Sequence, residues 1–178
     1  MTTMTTDTRP LTSPATPTPN AIEWHLGSLM VWHVSATESG GLLSLGEVVV
    51  RPGAEPPLPV HAREDETWFV LDGTVLFQRG HERILASSGD AVLLPRGIPH
   101  GFAVHSERAR MLHVYTPGGI EAAFHDVSVP APTRDLPPAP PTPPDAAARA
   151  RIEAAYEARG VTFVGPPLPV ILAGESRG

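Results

Sequence analysis

The chain contains no cysteine and no lysine. Without thiols there can be no disulfide, no iron–sulfur cluster, no cysteine zinc site and no thiolate nucleophile. Without lysine side chains there is no Schiff-base catalyst. A metal here needs histidine and carboxylate ligands. Charge is also sparse, at 18% of residues against a usual ~25%. All 13 bases are arginines, and 19 acids leave a net charge of −6. Acidic balance with scattered arginines lacks the positive stripe that nucleic acid requires, so no nucleic-acid partner is expected. No membrane span is expected either. The start, Met1-Thr-Thr-Met-Thr-Thr-Asp7, has neither a basic nor an apolar stretch to act as a secretory signal, so the expected location is the cytoplasm.

Proline, by contrast, is abundant, with 22 among 178 residues. The length predicts one domain with extensions. Residues 1–20 hold eight threonines and four prolines and read as a tail too polar to bury itself. Residues 21–128 carry short apolar runs separated by turn residues, the pattern of an all-β domain. Strands are expected at Leu29–Ser35, Leu42–Val50, Glu66–Leu71, Thr74–Arg79, Glu82–Leu85, Ala91–Leu94, His100–Val104 and Arg110–Tyr115, with Asp72-Gly73 and Gly89-Asp90 among the turns. Eight such strands suggest a closed or double-sheet barrel. Ile120 and Phe124 permit a short helix on its outside. Residues 129–178 form the second extension. Proline fills eight of the fifteen positions 130–144, making an extended connector. Asp145 can cap a helix over Ala146–Arg159 that stops at Gly160. Val161–Ala173 reads as extended, packing on the barrel or on a partner subunit.

The chemistry concentrates between Gly53 and His100. Gly53, His61, Glu66 and Gly73 are followed by Gly89, Pro95, Gly97 and His100. This pattern resembles the cupin superfamily, particularly the small single-domain proteins described as quercetin 2,3-dioxygenase-like. The family's first motif is Gly-x5-His-x-His-x3,4-Glu-x6-Gly, and Pro59 stands where its first histidine would be. The second is Gly-x5-Pro-x-Gly-x2-His-x3-Asn, with Val104 in the asparagine position. The resemblance implies a single jelly-roll barrel with a short C-terminal helix, a divalent metal (Fe, Ni, Mn or Zn) on His61, Glu66 and His100, oxygenase activity, and a homodimer. Extended apolar termini and uncovered strand edges point to self-association as well.

The residues can also be read by themselves. Strand alternation puts Trp68 and Val70 on the face of Glu66, and Phe102 and Val104 on the face of His100. If those faces look inward, Pro59, Trp68, Val70, Phe102, Val104 and His113 line a small-molecule pocket, apolar along its wall and polar at one end. Two imidazoles and a carboxylate suffice for a divalent ion and leave positions open for substrate. That reading gives a metal-dependent enzyme acting on an aromatic or polyketide-like molecule. The alternative is a non-redox cyclase, isomerase or dehydratase. In a metal-free site, burial beside Trp68 is expected to raise the Glu66 pKa, making it a neutral acid. Histidines 25, 33, 81, 105 and 113 are candidates to replace the ligand missing at Pro59. Only His33 and His113 lie in expected strands, and the register that would turn His113 inward or outward stays open. The run Arg63-Glu64-Asp65 reads as a solvated loop.

Overall fold

The computed structural model describes residues 22–138 and 142–176, so the 1–20 tail lies outside the described residues. The chain runs through β1 (Ile22–His25), β2 (Ser28–Val34), α1 (Ala36–Ser39), β3 (Ser44–Val50), β4 (Pro57–His61), β5 (Asp65–Asp72), β6 (Thr74–Arg79) and β7 (Glu82–Ser87). It continues through β8 (Ala91–Leu94), β9 (His100–Val104), β10 (Ala109–Thr116), α2 (Glu121–Val127), β11 (Val129–Pro130), α3 (Ala146–Glu157), β12 (Val161–Pro167) and α4 (Leu168–Glu175). One antiparallel sheet has the order β11-β1-β2-β3-β10-β5-β8, and it faces two smaller ones, β7-β6-β9 and β12-β4. This is a mostly β jelly roll with a short helix near its C-terminus. No helix among the described residues is long and apolar enough to cross a membrane.

All eight expected strands form, but β1, β4, β11 and β12 were not expected. Pro57 and Pro59 hid β4. Proline cannot donate to a ladder and is confined to sheet edges; β4 accommodates two because its sheet has one other strand, β12. The expected extended segment Val161–Ala173 divides instead. Its first half pairs with β4, with Val161 opposite His61 and Phe163 opposite Pro59. Its second half becomes α4, whose Pro169 sits in the first turn, where a missing N–H costs nothing. Leu168 of α4 packs with Leu58 and Ala103 on the outer side of β4 and β9. The C-terminal extension therefore covers its own barrel.

Register in the large sheet decides what the interior contains. Trp32, Gly46, His113, Trp68 and Val92 form one cross-strand row, and Ser44, Tyr115, Glu66 and Leu94 form the next. In β5 the alternation is strict: Glu66, Trp68 and Val70 are buried, while Thr67 and Phe69 are exposed. Gly46 is required in its row, because a Cβ there would lie 2.0 Å from His113 Nε2. The missing side chain lets the imidazole lie between Trp32 and Trp68, with ring centroids at 5.3 and 5.0 Å.

Candidate functional site

Two loops deliver the site. His61 ends β4, and the chain turns through Ala62–Glu64 so that Glu66 enters as the second residue of β5. The Pro95-Arg96-Gly97 turn needs a left-handed residue, supplied by Gly97 at φ 75. The Gly97 N–H donates to the His61 carbonyl at 2.8 Å. Arg96 adds a backbone bond to Asp65 Oδ1 at 2.9 Å and a guanidinium bond to Oδ2 at 2.7 Å. These bonds tie the second motif to the first and start β9 with His100 beside His61.

His61, Glu66 and His100 converge, each offering a ligand atom within 4.8 Å of the others. Their exposures are 3, 4 and 2%, so the cluster is held almost wholly out of water. His61 Nε2 lies 3.0 Å from Glu66 Oε1, and His100 Nε2 lies 3.6 Å from Glu66 Oε2. The Trp68 indole N–H donates to Glu66 Oε2 at 2.8 Å. His100 Nδ1 donates to the Ile98 carbonyl at 2.8 Å. In the neutral ring, Nε2 then turns a lone pair toward a carboxylate oxygen, and it is buried with no hydrogen-bond partner. Two acceptors facing each other in a dry chamber need a proton or a cation between them. The donor set therefore fits a divalent ion.

Electrostatics corrects the expected pKa of Glu66. Burial pushes it upward, as anticipated, but the charge of His61 and the closeness of both imidazoles outweigh burial and hold it well below the usual carboxylate value. His61 moves the other way. Burial lowers its pKa, yet the charges of the neighbouring Glu66 and Glu64 raise it to about 9. In the metal-free pair, Glu66 is thus the base and His61 the acid, rather than Glu66 being a neutral acid.

Of the expected wall residues, Trp68 touches Glu66 directly and packs on Phe102 with ring centroids 5.4 Å apart. Val70 and Val104 are buried further along the same faces, Val104 opposite Val75. Pro59 is buried two residues before His61, in the missing-ligand position. His113 points inward and is fully buried. Its Nδ1 is 3.1 Å from the Tyr115 hydroxyl and its Nε2 faces Gly46, so it stands outside the three-residue cluster. His33 also lies outside the cluster, bonded to Glu47 at 3.1 Å.

The sequence reading missed two residues of the chamber. Tyr115 lies opposite Glu66 in the register, and its ring stacks on His61 at 5.9 Å. Burial and the Glu66 charge push its hydroxyl pKa well above 10. Tyr115 shares the strand face of His113, so the register that the sequence left open for His113 decided Tyr115 as well. Glu64 is 1% exposed, with Oε2 at 3.5 Å from His61 Nδ1. This overturns the solvated-loop reading for Glu64: only its neighbours Arg63 and Asp65 reach solvent. His125, unremarked in the sequence, pairs with Glu23 at 2.7 Å, away from the cluster.

The cupin domain family matches residues 46–115, an interval that holds His61, Glu66, His100, Tyr115 and both glycine-bounded motifs. Residues 46–115 are thus similar to the cupin domain family. A 97-residue stretch of this chain is 31% identical to quercetin 2,3-dioxygenase of Bacillus subtilis, covering 53% of this chain and 29% of that protein. A 78-residue stretch is 28% identical to the xanthan biosynthesis protein XanB of Xanthomonas campestris, covering 43% of this chain and 17% of that one. The chain thus spans less than a third of the length of either curated relative. Among solved structures, KdgF from a Halomonas species superposes with a TM-score of 0.48 at 20% identity, covering 53% of this chain and 83% of the other.

Proposed function

We propose that this protein is a metal-dependent enzyme acting on a hydrophobic, oxygenated aromatic or polyketide-like small molecule, with oxygenase chemistry as its reaction. The observation that carries this reading is the convergence of His61, Glu66 and His100, with His100 Nε2 facing a carboxylate oxygen across 3.6 Å. The likeness to a quercetin 2,3-dioxygenase supports the oxygenase part. A divalent ion on these residues would supply Lewis acidity and a template for substrate and oxygen.

The protein side of the chemistry follows from the chamber. Trp68 and Phe102 offer flat aromatic surfaces for a planar substrate. The Trp68 N–H holds one Glu66 oxygen in place, leaving the other to bind or to take a substrate hydroxyl proton. Low exposure keeps bulk water from the reacting atoms. The test is oxygen uptake with flavonol-type substrates after reconstitution with Fe(II), Ni(II), Mn(II) or Zn(II) in turn. Uptake dependent on metal and substrate is expected, and no uptake with any metal would sink the oxygenase reading.

A second reading is favoured by one observation, the 3.0 Å His61–Glu66 pair with its acid and base already polarised. Such a pair can move a proton between two positions of one substrate, as a cyclase, isomerase or dehydratase must. Under this reading, turnover persists without oxygen and in the presence of a chelator, and Glu66→Gln abolishes it.

A further inference from the structure

We infer that Glu64 is the positioning residue of the metal centre: its buried carboxylate accepts a hydrogen bond from the Nδ1–H of His61 and so presents Nε2 of that ring to the cation. The inference rests on the metal reading above and deepens it.

The two histidines of the cluster are held from behind in the same way by different groups. His100 has its Nδ1 fixed by the Ile98 carbonyl at 2.8 Å, which leaves Nε2 directed at Glu66. His61 also directs Nε2 at Glu66, and the group behind its Nδ1 is Glu64 Oε2 at 3.5 Å. The carboxylate has been taken almost wholly out of water, and Oε2 has no hydrogen-bond partner. Its other oxygen has Arg63 Nε at 4.0 Å, and that side chain is 61% exposed, so the arginine screens Glu64 weakly. Burying a carboxylate is costly unless it is paired, and the His61 ring is the buried partner that faces it.

A histidine that ligates through one nitrogen commonly donates from the other to a carboxylate, which fixes the tautomer and makes the ligand more basic. That matters here because Pro59 supplies no donor where the family motif places a histidine. Charge gives a second argument. The carboxylates of Glu64 and Glu66 balance a divalent ion, so the filled chamber is neutral, as a site sealed from water requires.

The experiment uses the full chain, depleted of metal and titrated with Zn(II) by calorimetry, for wild type, Glu64→Gln, Glu64→Asp and Glu64→Leu. Apo melting temperatures are read alongside. The expected result is a loss of affinity of about 10- to 100-fold in Glu64→Gln and Glu64→Leu, with partial recovery in Glu64→Asp. A purely packing role would spare Glu64→Gln, which has the same shape. A second measurement needs no variant: long-range proton–nitrogen NMR of the Zn(II)-loaded wild type should show His61 protonated at Nδ1 and ligated at Nε2. Unchanged affinity in Glu64→Gln, or ligation through Nδ1, overturns the inference alone. Failure of wild type to bind Zn(II) overturns the metal reading and this inference with it.

Discussion

His61 on β4 and His113 on β10 are both buried against Tyr115, yet their surroundings drive them in opposite directions. His61 faces Glu66 on one side and Glu64 on the other, and its pKa rises to about 9. His113 lies between two indole rings; burial lowers its pKa to about 4, against the pull of Glu66. His25, bonded to the Tyr156 hydroxyl and packed on Phe124, is lowered further, to about 3, by burial and by His113. Burial acts on all three. Only where carboxylates share the chamber does it yield a charged, reactive group; elsewhere it makes a neutral ring that serves as packing.

The strongest way to break this comparison is to crowd the aromatic side. Gly46→Ala places a methyl group against His113, and the strand row cannot move without displacing both tryptophans. We expect a loss of about 3 kcal/mol or more, seen as a melting temperature lower by roughly 6–12 °C. Combining it with His113→Ala should recover part of that loss, as touching residues do in a double-mutant cycle. A melting temperature unchanged by Gly46→Ala would mean that the ring does not occupy that space.

Proton linkage separates the two sides by sign. His113 is neutral in the fold and titrates near 6.5 when unfolded, so its contribution is present above that pH and is lost as pH falls toward about 4. His61 behaves inversely in the metal-free protein: its contribution is fully present below 6.5 and is lost as pH rises through about 9. Each shift corresponds to something on the order of 3 kcal/mol. Urea midpoints across pH should show a shallower acid limb in His113→Phe and a shallower alkaline limb in His61→Gln. If the two variants altered the same limb, the contrast would fail.

The carboxylate side is sharpened by Glu66→Gln. Removing the charge between two imidazoles should cut divalent-metal affinity by about 100-fold or more, with elemental analysis of the purified variant as the readout. The smallest effect is expected at Tyr156→Phe, which deletes the bond to His25 and loosens the docking of α3 at a loss of about 1 kcal/mol. A loss several times larger would mean that this hydroxyl supports more than one ring.

What could be read from the chain and what could not follows the range of the signal. Period-two alternation and turn residues act locally, so β6, β8 and β9 have the expected limits, and the placing of Glu66 with Trp68 needed two residues of context. β4 was concealed by its own prolines, because whether proline is tolerated depends on how many neighbours a strand has. The inward turn of His113 depended on the pairing with β3 and β5, and a one-residue slip would reverse it. Glu64 was misjudged for a similar reason. Three consecutive charges look solvated along the chain, and only the turn from β4 into β5 shows that the middle one is enclosed with His61. The division of the C-terminal segment into β12 and α4 likewise required the outer side of β4 and β9 as its support.

The most direct test of the central claim is anomalous diffraction at the nickel edge from crystals of the full chain grown with Ni(II). The account predicts one strong peak within bonding distance of His61 Nε2, a Glu66 oxygen and His100 Nε2. A chamber without a peak, or with those side chains directed away from a peak elsewhere, would contradict it.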